Sequence, residues 1–176
     1  MSMTTALDEL RSANTELQQT IAELMMTAVE DRPHGSEIAA VDDLAELISE
    51  LQSAAAQAGS ELEAIMDSRE LPAAMPRVGS ATSECALRYW RDLRSHSAVS
   101  RLRATARGRG TEWATWQRSL EDSELRCEAA LLRTVEAVHL SWREIGELLC
   151  LYLPHVTEHP AQASASATTM SARRPS

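Results

Sequence analysis

Residues 7–28, LDELRSANTELQQTIAELMMTA, carry the pattern that decides the fold. Apolar side chains and one asparagine recur at alternating spacings of three and four residues, which places them on one face of an α-helix. The residues in this pattern are Leu7, Leu10, Asn14, Leu17, Ile21, Leu24 and Ala28. The stretch therefore predicts an amphipathic helix, and its apolar face can be buried in two ways.

The first way is a parallel coiled coil between two copies of the chain. A single asparagine in the core of such a coiled coil fixes the register and favours two strands. We expect this homodimer contact to consist of Leu10, Asn14, Leu17, Ile21 and Leu24. The flanking positions hold few complementary charges, and the run covers only about three heptads, which weakens the prediction.

The second way is a helical hairpin within one chain. Residues 31–35, DRPHG, break the first helix, and Ser36 is a good N-cap for a second one. The second helix is predicted from the spacing of Val41, Leu44, Ile48, Leu51, Ala55, Ala58, Leu62 and Ile65. A short connection allows the two helices to pack antiparallel, and Gly59 is expected to end or kink the second. The sequence leaves hairpin and coiled coil open.

The charge of the chain is divided unevenly along its length. Residues 1–70 contain 15 acidic and 3 basic residues, residues 71–176 contain 11 acidic and 14 basic residues, and the net charge is −9. An acidic protein is untypical of nucleic-acid binding, so only the second part suits that role. The apolar residues are mainly Ala and Leu, which favour helices and predict an all-α fold.

The composition, the cysteine spacing and the lack of long apolar runs predict where the protein works in the cell. The chain lacks Phe and Lys and uses Arg for all 17 basic residues, a bias that favours a GC-rich bacterial genome. Cys85, Cys127 and Cys150 are widely spaced and form no metal-binding motif, so we expect reduced thiols and no metal or cofactor. The polar first residues and the lack of a long apolar run predict a cytoplasmic protein that does not span a membrane.

The domain organisation is predicted from a proline- and glycine-containing stretch. Residues 69–80, RELPAAMPRVGS, are expected to form a linker. Before it, residues 1–68 form an acidic, heptad-bearing helical arm, and after it residues 81–159 form a helical domain that contains the arginines and tryptophans. Residues 160–176 are small, polar and aperiodic, which predicts a disordered tail.

Two further helices are expected in the second domain. One runs from about Ser83 to Arg107, and its arginines do not share a clean face, which favours a solvated helix over a phosphate-binding surface. Residues 108–111, GRGT, break it, and Thr111 can cap the next helix. The core-facing stripe of that helix is Trp113, Trp116, Leu120, Cys127, Leu131, Val135 and Val138, with Glu124 as an exception.

The segment 141–159, SWREIGELLCLYLPHVTEH, suggests a new helix and turn. Ser141 can cap a helix after a turn at residues 139–140, and Glu144 completes a capping box. A short helix over 142–149 would then end at Cys150. In this pattern the segment resembles the helix-turn-helix of bacterial transcription regulators and sigma-factor-like proteins.

The resemblance implies a role for individual residues. The scaffold positions of the family correspond to Ile145, Gly146, Leu149, Leu151 and Val156. The DNA contacts that it implies are Arg143 on a phosphate, and Tyr152, His155, Thr157 and His159 on the recognition helix. Cys150 departs from the family, which usually has glycine there, and the implied recognition helix contains no Lys or Arg.

The sequence as a whole predicts an all-α protein. An N-terminal helical hairpin or coiled coil precedes a small C-terminal helical bundle that ends in a helix-turn-helix-like unit. The predicted function is that of a dimeric, DNA-binding transcriptional regulator. The alternative is a non-enzymatic helical scaffold or protein-interaction protein, and no motif for a catalytic site supports an enzyme.

Overall fold

The computed structural model describes residues 3–34, 39–67, 71–95 and 108–157. These residues form four α-helices and no strand, which confirms the predicted all-α class. The helices are α1 (Met3–Val29), α2 (Ala39–Asp67), α3 (Leu71–Leu87) and α4 (Thr111–Thr157), and a π-helical segment (Arg88–Ser95) continues α3. Each α-helix packs on two neighbours in the cyclic order α1, α2, α3, α4.

Helices α1 and α2 form an antiparallel hairpin. Arg11 pairs with Glu63 at 2.7 Å, whereas Asn14, further along α1, donates a hydrogen bond from Nδ2 to the Ala55 carbonyl oxygen at 3.2 Å. Residue numbers therefore rise along one helix as they fall along the other. The intrachain hairpin is the alternative that the structure adopts.

The other helix pairs are antiparallel as well, which makes the molecule an up-down-up-down four-helix bundle. The contacts that set these directions are Arg77–Glu61 and Arg88–Glu50 between α2 and α3, Glu16–Arg133 and Thr27–Ser123 between α1 and α4, and Gly79–Trp142 and Tyr89–Glu124 between α3 and α4. Short connections between antiparallel neighbours are the usual consequence of this topology.

The residues predicted to form a coiled-coil dimer are used inside the chain. Leu10, Leu17 and Leu24 each keep 1% of their surface exposed, Ile21 keeps none, and Asn14 keeps 4%. Their apolar face is covered by α2 and α4, so it is not available to a second copy in this structure. The dimerisation assignment is therefore wrong for this fold, because the heptad spacing serves an intramolecular bundle equally well.

The bundle core consists of two apolar clusters with a polar level between them. The larger cluster contains residues from Leu17 of α1 to Leu131 of α4, and the smaller one lies at the end of the bundle that holds Leu7 and Val138. Between the two clusters lie Asn14 of α1, Ala58 and Gly59 of α2, Thr82 of α3 and Thr134 of α4. Asn14, Thr82 and Thr134 are buried, and buried polar groups normally have a hydrogen-bond partner.

The linker predicted at residues 69–80 is largely helical. Helix α3 begins at Leu71 and runs through both prolines. Pro72 lies in the first turn, where its missing N–H costs nothing, whereas Pro76 removes one helical hydrogen bond. Met75 and Val78 are almost completely buried in the smaller cluster. The prediction of a linker is wrong because this burial outweighs the effect of the prolines, and the two clusters join residues from both sides of the expected boundary.

The expected interruption of α2 at Gly59 is also wrong. Helix α2 continues unbroken from Ala39 to Asp67. A Cβ at Gly59 would lie 2.6 Å from Asn14 Oδ1 and 2.7 Å from Gln18 Nε2. The glycine is therefore a point of close approach between α1 and α2, which offsets its poor helix propensity.

The break before α4 is confirmed. Gly108 and Gly110 have φ angles of 81° and 100°, the left-handed region that glycine adopts without strain. Helix α4 then starts at the predicted Thr111. Of its predicted core stripe, Trp113, Trp116, Leu120, Cys127, Leu131 and Val138 are buried, as is the exceptional Glu124, while Val135 is half-buried.

Helix α4 is one continuous helix of 47 residues, from Thr111 to Thr157. The turns expected at residues 139–140 and 150–151 are therefore wrong. Ser141 does not cap a new helix, because its Oγ donates a hydrogen bond to the Ala137 carbonyl oxygen at 2.9 Å within the helix. Cys150 carries a Cβ and lacks the conformational freedom of the glycine that the family pattern has at this turn. The backbone consequently has no helix-turn-helix ending up to Thr157.

Candidate functional site

A pocket of about 370 Å³ opens between α3 and α4. We call it the α3–α4 pocket, and its lining residues are Pro76, Gly79, Thr82, Ser83, Val135, Val138, His139 and Trp142. On α3, the residues that line this space include Pro76 and Gly79. Neither has a long side chain that would fill the space towards α4. The apolar part of the lining comes mainly from α4, and the hydroxyl groups come from α3.

Thr82 is a buried polar residue in the wall of the α3–α4 pocket. Only 3% of its surface is exposed, and its Oγ1 is buried and has no hydrogen-bond partner among the described residues. Buried hydroxyls usually have a partner, and an unsatisfied one costs about 1–3 kcal/mol. Thr134, at the same level on α4, is fully satisfied because its Oγ1 donates to the Ala130 carbonyl oxygen at 2.9 Å. Because its hydroxyl lacks the kind of partner that Thr134 has, Thr82 is a candidate functional residue.

Trp142 forms the outer wall of the α3–α4 pocket. A Cβ at Gly79 would lie 3.3 Å from the indole Nε1 of Trp142, so the ring lies directly against the glycine of α3. The side chain keeps 38% of its surface exposed. Trp142 is therefore an aromatic residue at the entrance of the pocket and not a buried residue of the core.

A second exposed feature is the outer α4 stripe, which consists of Leu125, Ala129 and Leu132. These residues follow one another at spacings of four and three and so share one face of α4. Leu125 and Leu132 are 58% and 52% exposed, and Ala129 is also exposed. On the neighbouring helix and its π-helical extension, Leu87 and Trp90 are exposed as well. The three residues of the outer α4 stripe are clustered on one helix face, and clustered rather than scattered apolar exposure is typical of interaction surfaces.

The charges near the outer α4 stripe are mainly acidic. Arg126 and Arg133, which also lie on α4, extend towards α1 and pair with Glu23 and Glu16. The exposed carboxylates of Asp122 and Glu136 lie one turn before Leu125 and one turn after Leu132. An apolar stripe between carboxylates is complementary to a basic, amphipathic partner.

The two described cysteines are unsuited to act as nucleophiles. Cys85 on α3 and Cys127 on α4 are buried free thiols in the larger cluster. Burial raises the pKa of the Cys85 thiol to about 12, and burial together with neighbouring acidic groups raises the pKa of Cys127 to about 12. Both thiols stay protonated at neutral pH, whereas a nucleophilic cysteine needs its thiolate.

The structure does not assemble the predicted DNA-contacting residues into a two-helix unit. Arg143 is exposed on α4. Tyr152, His155 and Thr157 lie further along the same helix, where only the backbone is described, and His159 lies outside the described residues. A 13-residue span of continuous helix separates Arg143 from His155 by about 18 Å. The arginines of residues 101–107 and the tail at 160–176 also lie outside the described residues.

The α3 side of the pocket does not follow from the sequence prediction, because Pro76 and Gly79 lie in the predicted linker. A signal was present. Met75, Val78, Thr82, Cys85 and Tyr89 continue the same three- and four-residue spacing across the prolines, and all five are buried. That periodicity indicated a helix, with Thr82 as the polar member of its core face.

Comparison with protein-family models, curated proteins and solved structures finds no match to this chain. Among the described helices, none has a stretch that is both long and apolar enough to cross a membrane. The described residues also contain no cluster of His, Cys, Asp and Glu side chains that could hold a metal ion. The α3–α4 pocket and the outer α4 stripe are therefore the candidate functional features of the described residues.

Proposed function

We propose that this protein is a non-enzymatic, helical protein-interaction module that binds a basic amphipathic helix along the outer α4 stripe. The single observation that carries the proposal is the exposure of Leu125 and Leu132, at 58% and 52%, on either side of the exposed Ala129 along one face of α4. A helix that docks with residues spaced by three and four fits such a stripe.

Charge supports a basic partner rather than a second copy of the chain. The stripe is bordered by Asp122 and Glu136, and the protein carries a net charge of −9. Two copies would bring like charges together at the contact, which costs free energy, whereas a basic helix gains from the same charges. The buried heptad of α1 leaves a dimer without its predicted contact.

The proposal is tested by site-specific photo-crosslinking in cells that express the protein. A benzophenone amino acid replaces Ala129 in the centre of the stripe, and a matched variant carries it at Gln19, an exposed position on α1. We expect the first variant to capture a basic amphipathic segment, and the second not to. The capture should be lost in Leu125→Asp/Leu132→Asp. Equal capture from both positions, or capture of only a second copy, would contradict the proposal.

DNA binding by a transcriptional regulator stays a prediction from the sequence resemblance. A gel shift with mixed-sequence DNA at low and moderate salt tests it, because phosphate contacts weaken steeply as salt increases. Arg143→Ala is the informative variant, since Arg143 is the implied phosphate contact that lies on the described surface of α4. A shift at low salt that Arg143→Ala removes would favour the DNA-binding function over the interaction module.

A further inference from the structure

We propose that the α3–α4 pocket holds one bulky apolar side chain of the helix that docks on the outer α4 stripe. This inference rests on the proposed function and deepens it, because it adds an anchor site and names the feature of the partner that fills it. Three observations carry it: the stripe and the pocket border one groove, the lining of the pocket is mainly apolar, and the charges along the groove differ between its two ends.

The outer α4 stripe and the pocket follow one another along the same side of α4. His139 lines the pocket and lies seven residues after Leu132, which in turn lies seven residues after Leu125. Residues seven apart are two helical turns from each other and lie on nearly the same side of a helix. Val135 and Trp142 also line the pocket, each three residues further on than Leu132 and His139. A helix that lies along the stripe therefore reaches the pocket.

Helix α3 borders the same groove. Gly79 and Ser83 line the pocket, and Leu87 follows Ser83 by four residues, so these three residues form one row along α3. Leu87 is 57% exposed. Gly79 lies against Trp142, and α3 and α4 are antiparallel, so Leu87 lies towards the Leu125 end of the groove. The groove consequently runs from exposed leucines at one end to the pocket at the other.

The lining of the pocket favours an apolar group. Its largest surfaces are the Pro76 ring, the Val135 and Val138 methyl groups and the Trp142 indole, and its described residues include no carboxylate, lysine or arginine. The Thr82 oxygen is buried behind this lining and offers no hydrogen bond to an occupant. A volume of about 370 Å³ accommodates one bulky side chain. A side chain that fills a pocket beside a groove is the usual anchor of a docked helix.

Charge defines the rest of the partner. Asp122 and Glu136 border the stripe, so we expect lysines or arginines in the part of the partner that lies there. Arg143, which is exposed and follows Trp142, lies at the pocket end, so we expect no basic residue beside the anchor. The distance from Leu125 to Trp142 along the helix axis is about 25 Å. The partner is therefore a helix of about five turns that is basic over the stripe and has its anchor near one end.

The inference is tested by fluorescence anisotropy with the full-length protein and three labelled, amidated helical peptides of equal length. All three have central leucines at alternating spacings of three and four, with lysines between them. One has alanine at both outermost apolar positions, and the others have tryptophan at the first or at the last of these, which covers both directions of binding. We expect at least one tryptophan peptide to bind about tenfold more tightly than the alanine peptide, because its ring fills the pocket.

Variants of the protein assign this gain to the pocket. Ser83→Trp places a ring at the entrance and should remove the gain, while the alanine peptide still binds. Ser53→Trp adds the same ring at an exposed serine of α2 and should keep it. Trp142→Ala, which removes the outer wall, should reduce it. Leu125→Asp/Leu132→Asp should weaken all three peptides.

The outcomes distinguish the pocket from the stripe. Equal affinities of the three peptides for wild type, all weakened by Leu125→Asp/Leu132→Asp, would overturn the anchor in the pocket and keep the interaction module. Failure of every peptide to bind wild type would contradict both. A gain that survives Ser83→Trp would overturn the anchor as well. So would a dimer of the peptide-free protein that Ser83→Trp dissociates in sedimentation, because a second copy would then occupy the pocket.

Discussion

Two helix interfaces of the bundle each place a glycine beneath a side chain of the facing helix. At the α1–α2 interface, Asn14 and Gln18 lie over Gly59, and Gln18 Nε2 donates to Asn14 Oδ1 at 2.6 Å. At the α3–α4 interface, the Trp142 indole lies over Gly79. The first interface is closed and its Asn14 amide is bonded, whereas the second keeps a pocket and an unsatisfied hydroxyl.

The difference shows how the same small residue can serve packing or binding. The Asn14 amide, which reaches the backbone of α2, fills the space over Gly59. The Trp142 ring, which is partly exposed, covers Gly79 from the outside and leaves a pocket beside Thr82. Polar groups at the same level of the bundle therefore stabilise one interface and make a candidate site at the other.

The largest expected difference concerns two tryptophans of α4. Trp116 is 4% exposed and its Nε1 donates to the Thr27 carbonyl oxygen at 2.7 Å, while Trp142 is 38% exposed. Trp116→Ala should lower the free energy of unfolding by about 3–5 kcal/mol. Trp142→Ala should lower it by only about 1 kcal/mol, because half-exposed side chains lose less on truncation. Urea denaturation measures both, and equal losses would contradict the description of Trp142 as an entrance residue.

A substitution at Asn14 tests the closed interface. Asn14→Asp preserves the shape but removes the amide that donates to the Ala55 carbonyl oxygen, and it buries a carboxylate. We expect a loss of about 2–4 kcal/mol in the free energy of unfolding at pH 7. Burial raises the pKa of such a carboxyl, so its cost is present above that pKa and decreases as the pH falls through it.

The same measurement should therefore be made at pH 7 and at pH 4.5. The difference in stability between wild type and Asn14→Asp should become smaller at the lower pH. Asp in place of the exposed Gln19 is the control, and it should have little effect at either pH. A variant with unchanged stability at pH 7 would show that Asn14 is not buried within the chain.

The two glycines provide a direct comparison of the interfaces. Gly59→Ala should lower the free energy of unfolding by about 1–3 kcal/mol, because the added methyl group would overlap Asn14 and Gln18. Gly79→Ala should leave it unchanged or raise it by about 0.5–1 kcal/mol, because alanine favours the helix and the exposed Trp142 ring can move. Thermal denaturation of the pair checks the prediction, and a larger loss at Gly79 than at Gly59 would reverse the assignment of closed and open interfaces.

The smallest expected effect separates two buried threonines. Thr134→Val removes a satisfied hydroxyl and should cost about 1 kcal/mol, whereas Thr82→Val removes an unsatisfied one and should be neutral or stabilising by up to about 1 kcal/mol. The two residues are 0% and 3% exposed, so burial is matched. Chemical denaturation with both variants in one experiment measures the difference. A loss at Thr82 equal to that at Thr134 would mean that the Thr82 hydroxyl is already bonded.

Much of the fold could be predicted from local patterns in the sequence. The heptad of α1 and the tryptophan stripe of α4 identified the buried faces, and Gly108 and Gly110 identified the break before Thr111. The choice between coiled coil and hairpin could not be made, because both bury the same face of α1. That choice depends on how closely α2 packs on α1, which the spacing of apolar residues does not specify and which contacts such as that between Asn14 and Gly59 show.

The errors have a common physical cause. The local preferences of proline and glycine in residues 69–80 predict a break in the helix, and that of Ser141 predicts an N-cap. In the bundle, the burial of Met75 and Val78 stabilises a helix through the prolines, and Ser141 bonds backwards to Ala137. Tertiary packing therefore overrode local preference in the two segments that contribute residues to the α3–α4 pocket. The residues of the pocket were missed for this reason.

The continuity of α4 through residues 139–140 and 150–151 is the central claim, since it separates the helical bundle from a helix-turn-helix ending. The most direct test is the measurement of ¹³Cα secondary chemical shifts along α4 by NMR. The structure predicts uninterrupted helical values from Thr111 to Thr157. Two helical runs separated by non-helical values at residues 150–151 would contradict it and restore the predicted turn.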